Sequence, residues 1–229
     1  MRSVTGLLYV LQFADSALPV GAFSFSNGLE SAIQQGVVRD PASLKQMVLA
    51  ATEQAATLDG GALLVAHRAV LAADMQGLVA VDRAVYLRKL NEEMRTMTVR
   101  MGRKLGELGA HVLDTPLLAD WVRAIKSGAS PGTFPVGLAL VTGALGVEAR
   151  DAFAAHQYGV ASMMLNAALR LMRVSYFDTQ AILLEVNATA EDLYQRVRAD
   201  TIDDIRAFAP LLDILAATHV RAHVRMFMN

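Results

Sequence analysis

Residue types capable of chemistry are sparse in this chain, and their spacing narrows what they can do. His219 and His223 stand four apart, which on a helix puts both imidazoles on one face, the arrangement from which a zinc or nickel ion takes a ligand pair. Two donors do not close a site, and the nearest upstream carboxylate, Asp213, lies six residues before His219 and off that face. The expectation is therefore no metal site: His219 packs or hydrogen-bonds at an interface and His223 is exposed. Glu30 has the right type for a general base, but Asn27-Gly28-Leu29-Glu30 fits a capping box, in which the acid answers a free backbone N–H of the first helical turn. Without a partner for it, capping is the expected role. Ser24 and Ser26 have no His or Lys close in sequence to activate a hydroxyl, so they read as loop and cap residues.

Absences narrow the class further. The chain has no cysteine, hence no disulfide, thiolate metal site or cysteine nucleophile. It has no Gly-x-x-x-x-Gly-Lys-Ser/Thr loop to cradle nucleotide phosphates, no Gly-x-Gly-x-x-Gly and no His-Glu-x-x-His. These absences leave a dedicated catalytic constellation few possible members, so an all-α enzyme whose acids converge only in the fold is the weakest reading, and no cofactor is expected. A formal net charge of −1 argues against a nucleic-acid partner, which needs a concentrated basic footprint. The local exception is Asp82 to Glu107, with seven basic residues against four acidic ones, read as a solvated helix face with pairs such as Arg88 with Glu92 and Arg103 with Glu107. The longest apolar run, Phe134 to Val147, is short of the ~20 residues that span a bilayer, and Gln12 and Asp15 interrupt the N-terminal run before an export signal forms. A soluble, cytoplasmic protein without membrane contact is expected.

The elements that must position these residues read as all-α: apolar residues recur with helical spacing and no sustained period-two alternation occurs. At 229 residues, with no linker, the chain is expected to form a single domain, a bundle of about ten helices. A first helix ends near Ser16, and a second runs from about Ser24–Asn27 to Gly36. Asp40-Pro41 starts a third, with Leu44, Met47, Val48 and Ala51 facing inward. Asp59-Gly60-Gly61 breaks or kinks the pattern, and a long segment runs from Leu78 to His111. Pro116 opens a short helix through Trp121, and Ser127 to Gly132 is the clearest interior loop. The segment from Asp151 to Met172, apolar or small nearly all round, belongs at the bundle centre. Helical pieces are expected again over 179–186, 190–199 and 200–208, and a last helix from Pro210 towards Phe227. With 54% hydrophobic and 19% charged residues, there is more apolar surface than a monomer needs.

The densest turn chemistry lies between the first two helices: Leu11-Gln12-Phe13-Ala14-Asp15-Ser16-Ala17-Leu18-Pro19-Val20-Gly21-Ala22-Phe23-Ser24-Phe25-Ser26-Asn27-Gly28-Leu29-Glu30. Pro19 fixes its own backbone, and Gly21 and Gly28 supply positive φ or close approach, so a shaped surface loop is expected. This stretch resembles the N-terminal signature of the UreF family of urease accessory proteins and matches each fixed position of Leu-Gln-x-x-Asp-Ser-x-x-Pro-x-Gly-x-Phe-x-x-Ser-x-Gly-Leu-Glu. Near the other terminus, Phe208-Ala209-Pro210-Leu211-Leu212-Asp213-Ile214 resembles the family's Phe-x-Pro-Leu-Leu-Asp-Ile block, followed by His219, Arg225 and Phe227 where the family has its closing His, Arg and Phe. Three positions depart from the pattern: Thr133-Phe134-Pro135 lacks the family's His, Ser175-Tyr176 replaces Gly-Gln, and Val220 replaces Glu.

The resemblance implies an all-α, dimeric, non-enzymatic protein that bridges a UreD/UreH-type accessory protein and the GTPase UreG as nickel is inserted into the urease apoprotein. It implies that residues 210–229 dock the UreD/UreH-type partner, with Pro210, Leu211, Asp213, His219, Arg225 and Phe227 as contacts, and that this segment orders on docking. The loop carrying Pro19, Gly21, Ser24, Ser26, Gly28 and Glu30 would then help recruit the GTPase. An effect on GTP hydrolysis is expected to be indirect, although an arginine from the 83–103 segment could act in trans. A competing reading from the residues alone is a helical bundle that holds an apolar small ligand, on the strength of the Met- and Ala-rich segment from Tyr158 to Met172.

Overall fold

The computed structural model of the chain describes residues 3–15, 18–219 and 226–227. Helix starts follow local capping chemistry. The Ser3 hydroxyl accepts from the Gly6 N–H and opens α1 (Val4–Ala14). Asp40 and Ser43 form a reciprocal capping box at α3 (Pro41–Ala55), with proline in the first turn, and the hydrogen bonds from Ser43 hold the Asp40 carboxyl below its usual pKa. Asp74 caps α5 (Met75–Arg88), Asn91 caps α6 (Glu92–Val112), and Ser175 with Asp178 boxes the start of α10 (Tyr176–Ala188). Short α2 (Leu29–Gln34), α4 (Gly61–Leu71), α7 (Pro116–Lys126), α8 (Phe134–Ala144), α9 (Ala149–Leu171), α11 (Ala190–Val197) and α12 (Pro210–His219) complete an all-α fold, with no strand among the described residues.

Three expectations need correction, and a fourth is met in a specific form. The segment 78–111 is two helices, not one bent helix, because Asn91 takes extended backbone and its side chain accepts from the Met94 N–H. Residues 200–208 are not helical: they form a strap whose backbone is held from outside, by Arg68 donating to the Asp200 and Arg198 carbonyls and Arg206 N–H donating to Thr57 O. Asp59-Gly60-Gly61 does interrupt the regular α-helical pattern, though without ending the helical path. It sits in a π-turn (Ala56–Gly60) that joins α3 to α4 and swings Asp59 inward, where its carboxylate pairs with Lys89 at 2.5 Å, both largely buried. Finally, the basic residues of 82–107 do not form the expected i,i+4 pairs. Arg83, Arg95 and Arg103 donate to the Ala129, Lys89 and Pro131 carbonyls, Arg88 donates to Ala84 O and Ile202 O, and Glu107 pairs with Lys104.

Two helices share the centre. Pro135 to Thr142 of α8 is buried throughout, enclosed by α4, α6, α7 and α9, whereas α9 is longer, reaches α1, α3, α4 and α10, and leaves Tyr158 and Leu169 partly exposed. α6 approaches the start of α8 so closely that a Cβ on Gly102 would collide with the Gly132 carbonyl and the Thr133 backbone. The loop before α8 is fixed by Asp82, fully buried on α5. Its Oδ2 accepts from Trp121 Nε1 (3.2 Å), the Gly132 N–H (2.8 Å) and the Ser130 hydroxyl, and its Oδ1 from the Thr133 N–H (2.7 Å) and hydroxyl (2.5 Å). Five donors replace the water a buried carboxylate gives up. A second apolar cluster, including Leu29, Leu44, Met164, Ile182, Leu215 and Phe227, packs α2, α3, α9, α10 and α12 together.

Candidate functional site

The loop between α1 and α2 has left-handed backbone at Gly21 (φ 89°), Asn27 (φ 53°) and Gly28 (φ 79°). At Gly28 the reason is packing as well as turn geometry, since a Cβ there would lie 3.3 Å from the Ala216 backbone nitrogen of α12. Gly28 itself occupies the N-cap of α2, so the capping box expected from Asn27 to Glu30 does not form. The hydroxyl of buried Ser26 accepts from the Glu30 N–H at 3.4 Å instead. Asn27 turns inward and its amide lies 3.7 Å from Met164 Sδ.

Released from capping, the Glu30 side chain crosses to the far end of the chain. Its Oε2 accepts from His219 Nε2 (3.0 Å) and the Phe227 N–H (3.0 Å), and its Oε1 accepts from the Met226 N–H (2.8 Å). The other nitrogen of His219, Nδ1, lies 3.2 Å from Glu93 Oε2 on α6. His219 is completely buried, with a carboxylate oxygen at each ring nitrogen, so both hydrogen bonds are donated together only when the ring carries two protons. The Phe227 ring is buried beneath the Arg170 guanidinium of α9, 4.2 Å from the ring centroid, and Arg170 also donates to Phe23 O at 3.1 Å. One clasp thus ties the loop, α6, α9, α12 and residues 226–227.

Of the residues singled out from sequence, Ser26, Gly28, Glu30, His219 and Phe227 meet inside this clasp. Pro19, Pro210 and Leu211 lie exposed around it, with Gly21 and Ser24 half-buried. Asp213 is not on that surface. It faces inward, accepts from Gln54 Nε2 at 3.2 Å, and burial raises its carboxyl pKa. Arg225 and His223, with the expected extension of the last helix over 220–225, lie outside the described residues. Sequence reasoning missed Glu93 and Arg170: neither has a local signal, because their partners lie 126 and 147 residues away. Both ring nitrogens of His219 are engaged by hydrogen bonds, and among the described residues no three His, Asp or Glu side chains are grouped to hold a metal ion. Nor is any described helix long and apolar enough to cross a membrane.

Beside the clasp lies a cavity of about 290 Å³ between the loop, α6 and α9, with Phe13, Met94, Met97, Met101 and Met163 in its walls. Its polar corner holds the Lys89–Asp59 pair, Asp213 and His156. Burial lowers the His156 pKa, with nearby Asp59 opposing and Lys89 adding to the shift, and its Nδ1 has no hydrogen-bond partner among the described residues.

Comparison with known proteins gives the family. The UreF family profile matches residues 38–187. The chain is 59% identical over 228 residues to urease accessory protein UreF 2 of Brucella canis, covering all of this chain and 94% of that protein. It is 58% identical to urease accessory protein UreF 1 of Brucella melitensis over the same length, and 51% identical over 227 residues to urease accessory protein UreF of Yersinia enterocolitica, 99% of this chain and 100% of the other. The clasp residues Glu30, His219 and Phe227 fall outside the profile match but within the reach of these full-length similarities.

Proposed function

The chain belongs to the UreF family of urease accessory proteins, accessory factors rather than enzymes, and on that premise we propose that it is the scaffold joining a UreD/UreH-type partner to the GTPase UreG during nickel delivery to the urease apoprotein. The observation that carries this reading is the clasp, in which Glu30 of the N-terminal loop holds His219, Met226 and Phe227 together. A bridge must hold two docking faces in a fixed relation, and a clasp of charge-assisted hydrogen bonds does so. Outside it, Phe208, Leu211 and Ile214 expose an apolar edge along α12, suited to a protein partner, while Pro19 and Phe23 stand exposed on the loop side. In this reading the α12 edge receives the UreD/UreH-type protein and the loop contributes to the GTPase contact. Ser26, Gly28, Glu30, His219 and Phe227 act from within as positioning residues. In this reading any effect on GTP hydrolysis is indirect; Arg83, Arg88, Arg95 and Arg103 each donate to a carbonyl of this chain.

The test is co-expression with the two partners, followed by size-exclusion chromatography with mass determination. The surface variant Leu211→Glu/Ile214→Glu, which leaves the core intact, is expected to lose the UreD/UreH-type protein. Retention of both partners by that variant would move the docking face elsewhere. A second reading, an apolar small ligand held in the bundle, is favoured by the methionine-lined cavity. It predicts a rise in melting temperature with n-octanol as probe, and no rise would remove it.

A further inference from the structure

The cavity between the N-terminal loop, α6 and α9 is apolar along its walls and polar at one corner, and the corner carries the information about what fits. Met94, Met97 and Met101 follow one another along α6 at helical spacing and line it together with Met163 of α9. Unbranched thioether side chains adapt to a flexible chain better than branched ones do. The volume of about 290 Å³ lies at the small end of ligand sites, with room for roughly ten heavy atoms. Polar side chains in the wall are already engaged within the chain. Gln54 donates to Asp213 at 3.2 Å, Asn166 to Ser162 at 3.3 Å, and Lys89 pairs with Asp59. Arg88 and Arg170 donate to backbone carbonyls. His156 of α9 is the exception: it is 5% exposed, and its buried Nδ1 has no hydrogen-bond partner among the described residues. A bound group that completes this ring removes the cost of leaving it unpaired.

The chemistry of the corner selects the head group. Burial lowers the His156 pKa and favours the neutral ring, and the two charges that act on it, Asp59 and Lys89, oppose each other. A charged head placed there would be buried without a counter-ion. A neutral imidazole presents one donor and one acceptor, and a hydroxyl answers either, whereas a carboxylate only accepts and an ammonium only donates. We propose that the cavity is a site for an uncharged amphiphile, an unbranched chain of about eight carbons among the methionines with a single hydroxyl hydrogen-bonded to His156. Such a site presupposes the small-ligand reading and adds the chemistry of the head group, while scaffolding does not depend on it. Phe13 and Val20, both buried, belong to the same wall, so the occupant would pack beneath the N-terminal loop.

The test is nuclear magnetic resonance of the full chain carrying ¹³C-labelled methionine methyls, titrated with 1-octanol, 1-chlorooctane and sodium octanoate. Octanol is expected to shift the Met94, Met97, Met101 and Met163 signals saturably, with a Kd about tenfold below those of chlorooctane, which lacks the hydroxyl, and octanoate, which is charged. His156→Phe keeps a ring and removes both nitrogens, so it is expected to weaken octanol to the level of chlorooctane and to leave chlorooctane unchanged. If that variant does not fold, the three probes on the wild-type chain decide alone. Met97→Phe narrows the cavity and is expected to abolish the shifts caused by octanol and chlorooctane alike; saturable binding that survives it lies elsewhere and overturns the site. Equal affinity for octanol and chlorooctane, or tighter binding of octanoate, overturns the hydroxyl assignment and leaves the small-ligand reading standing. No saturable shift with any probe overturns both.

Discussion

Replacing Glu30 with alanine tests the clasp most directly. In the intact protein this carboxylate accepts from two backbone N–H groups and one imidazole at 2.8 to 3.0 Å. Charge-assisted hydrogen bonds contribute about 1.5–3 kcal/mol each, so removing the acceptor of three would cost about 4.5–9 kcal/mol if every donor stayed buried. They do not all stay buried. The segment that carries Met226 and Phe227 can lift away once the carboxylate is gone, after which their N–H groups hydrate. The loss is then limited to what seating the segment contributes: about 2 kcal/mol for burying Phe227, a further 1 kcal/mol or so for the lost cation–π contact, and the cost of leaving His219 with one carboxylate, less the entropy regained. A net destabilisation of about 2–4 kcal/mol follows. Hydrogen exchange should show the Met226 and Phe227 amides fully unprotected in Glu30→Ala while those of α8 remain slow, and urea unfolding should give the stability change. Protected amides at 226 and 227 in that variant would refute the clasp. So would a stability loss below about 0.5 kcal/mol.

Other outcomes follow from buried polar groups and close contacts. Asp82→Asn keeps the shape but turns an N–H₂ towards a cluster of donors, so a loss of about 3–5 kcal/mol in urea unfolding and faster exchange over 130–133 are expected. Gly102→Ala drives a methyl into the Gly132 carbonyl and should lower stability by about 3 kcal/mol or more, measurable as a fall in melting temperature. Asp213 has a carboxyl pKa raised by burial, so it holds its proton more tightly folded than unfolded. Its contribution is fully present below the ordinary carboxylate range and is lost as pH rises through the higher folded value. Asp213→Asn should therefore flatten the decline in stability just above the ordinary carboxylate range, in melting curves recorded across pH.

What could be read from sequence divides along the range of the interactions. Asp40-Pro41, Pro116 and the left-handed turns at Gly21 and Gly28 announce their roles because capping, the proline ring and backbone dihedrals act within a few residues. So do the inward faces of α3 and α9, which follow from the helical repeat alone. Glu30 was misassigned by the same logic: its spacing from Asn27 is right for a cap, but carriers of its real hydrogen bonds are 189 to 197 residues away. Asp82 likewise reads as one acid in a basic, solvated segment until the 130–133 loop folds over it. Segments 200–208 and 220–227 have helical composition, yet the first is fixed by side chains of α4 and by Thr57, which no local pattern displays. The two motif blocks near the termini were individually legible; that they meet at one carboxylate was not.

The π-turn at Ala56–Gly60 bears on how this protein can vary in length. It holds one residue more than a regular turn would, and that surplus points Asp59 at Lys89 and lets Gly60 lie against the Phe153 ring, where a Cβ would come within 2.6 Å. Deleting any one of these five residues would restore ordinary helical hydrogen bonding, and the chain would look locally improved. Everything after it would rotate by about 100°, carrying Leu63, Leu64 and His67 of α4 off their buried face and leaving the Lys89 ammonium without its carboxylate. A one-residue change that a surface loop absorbs unnoticed becomes here a rotation of a whole central helix, so insertions and deletions are excluded from this run as firmly as charges are from the core.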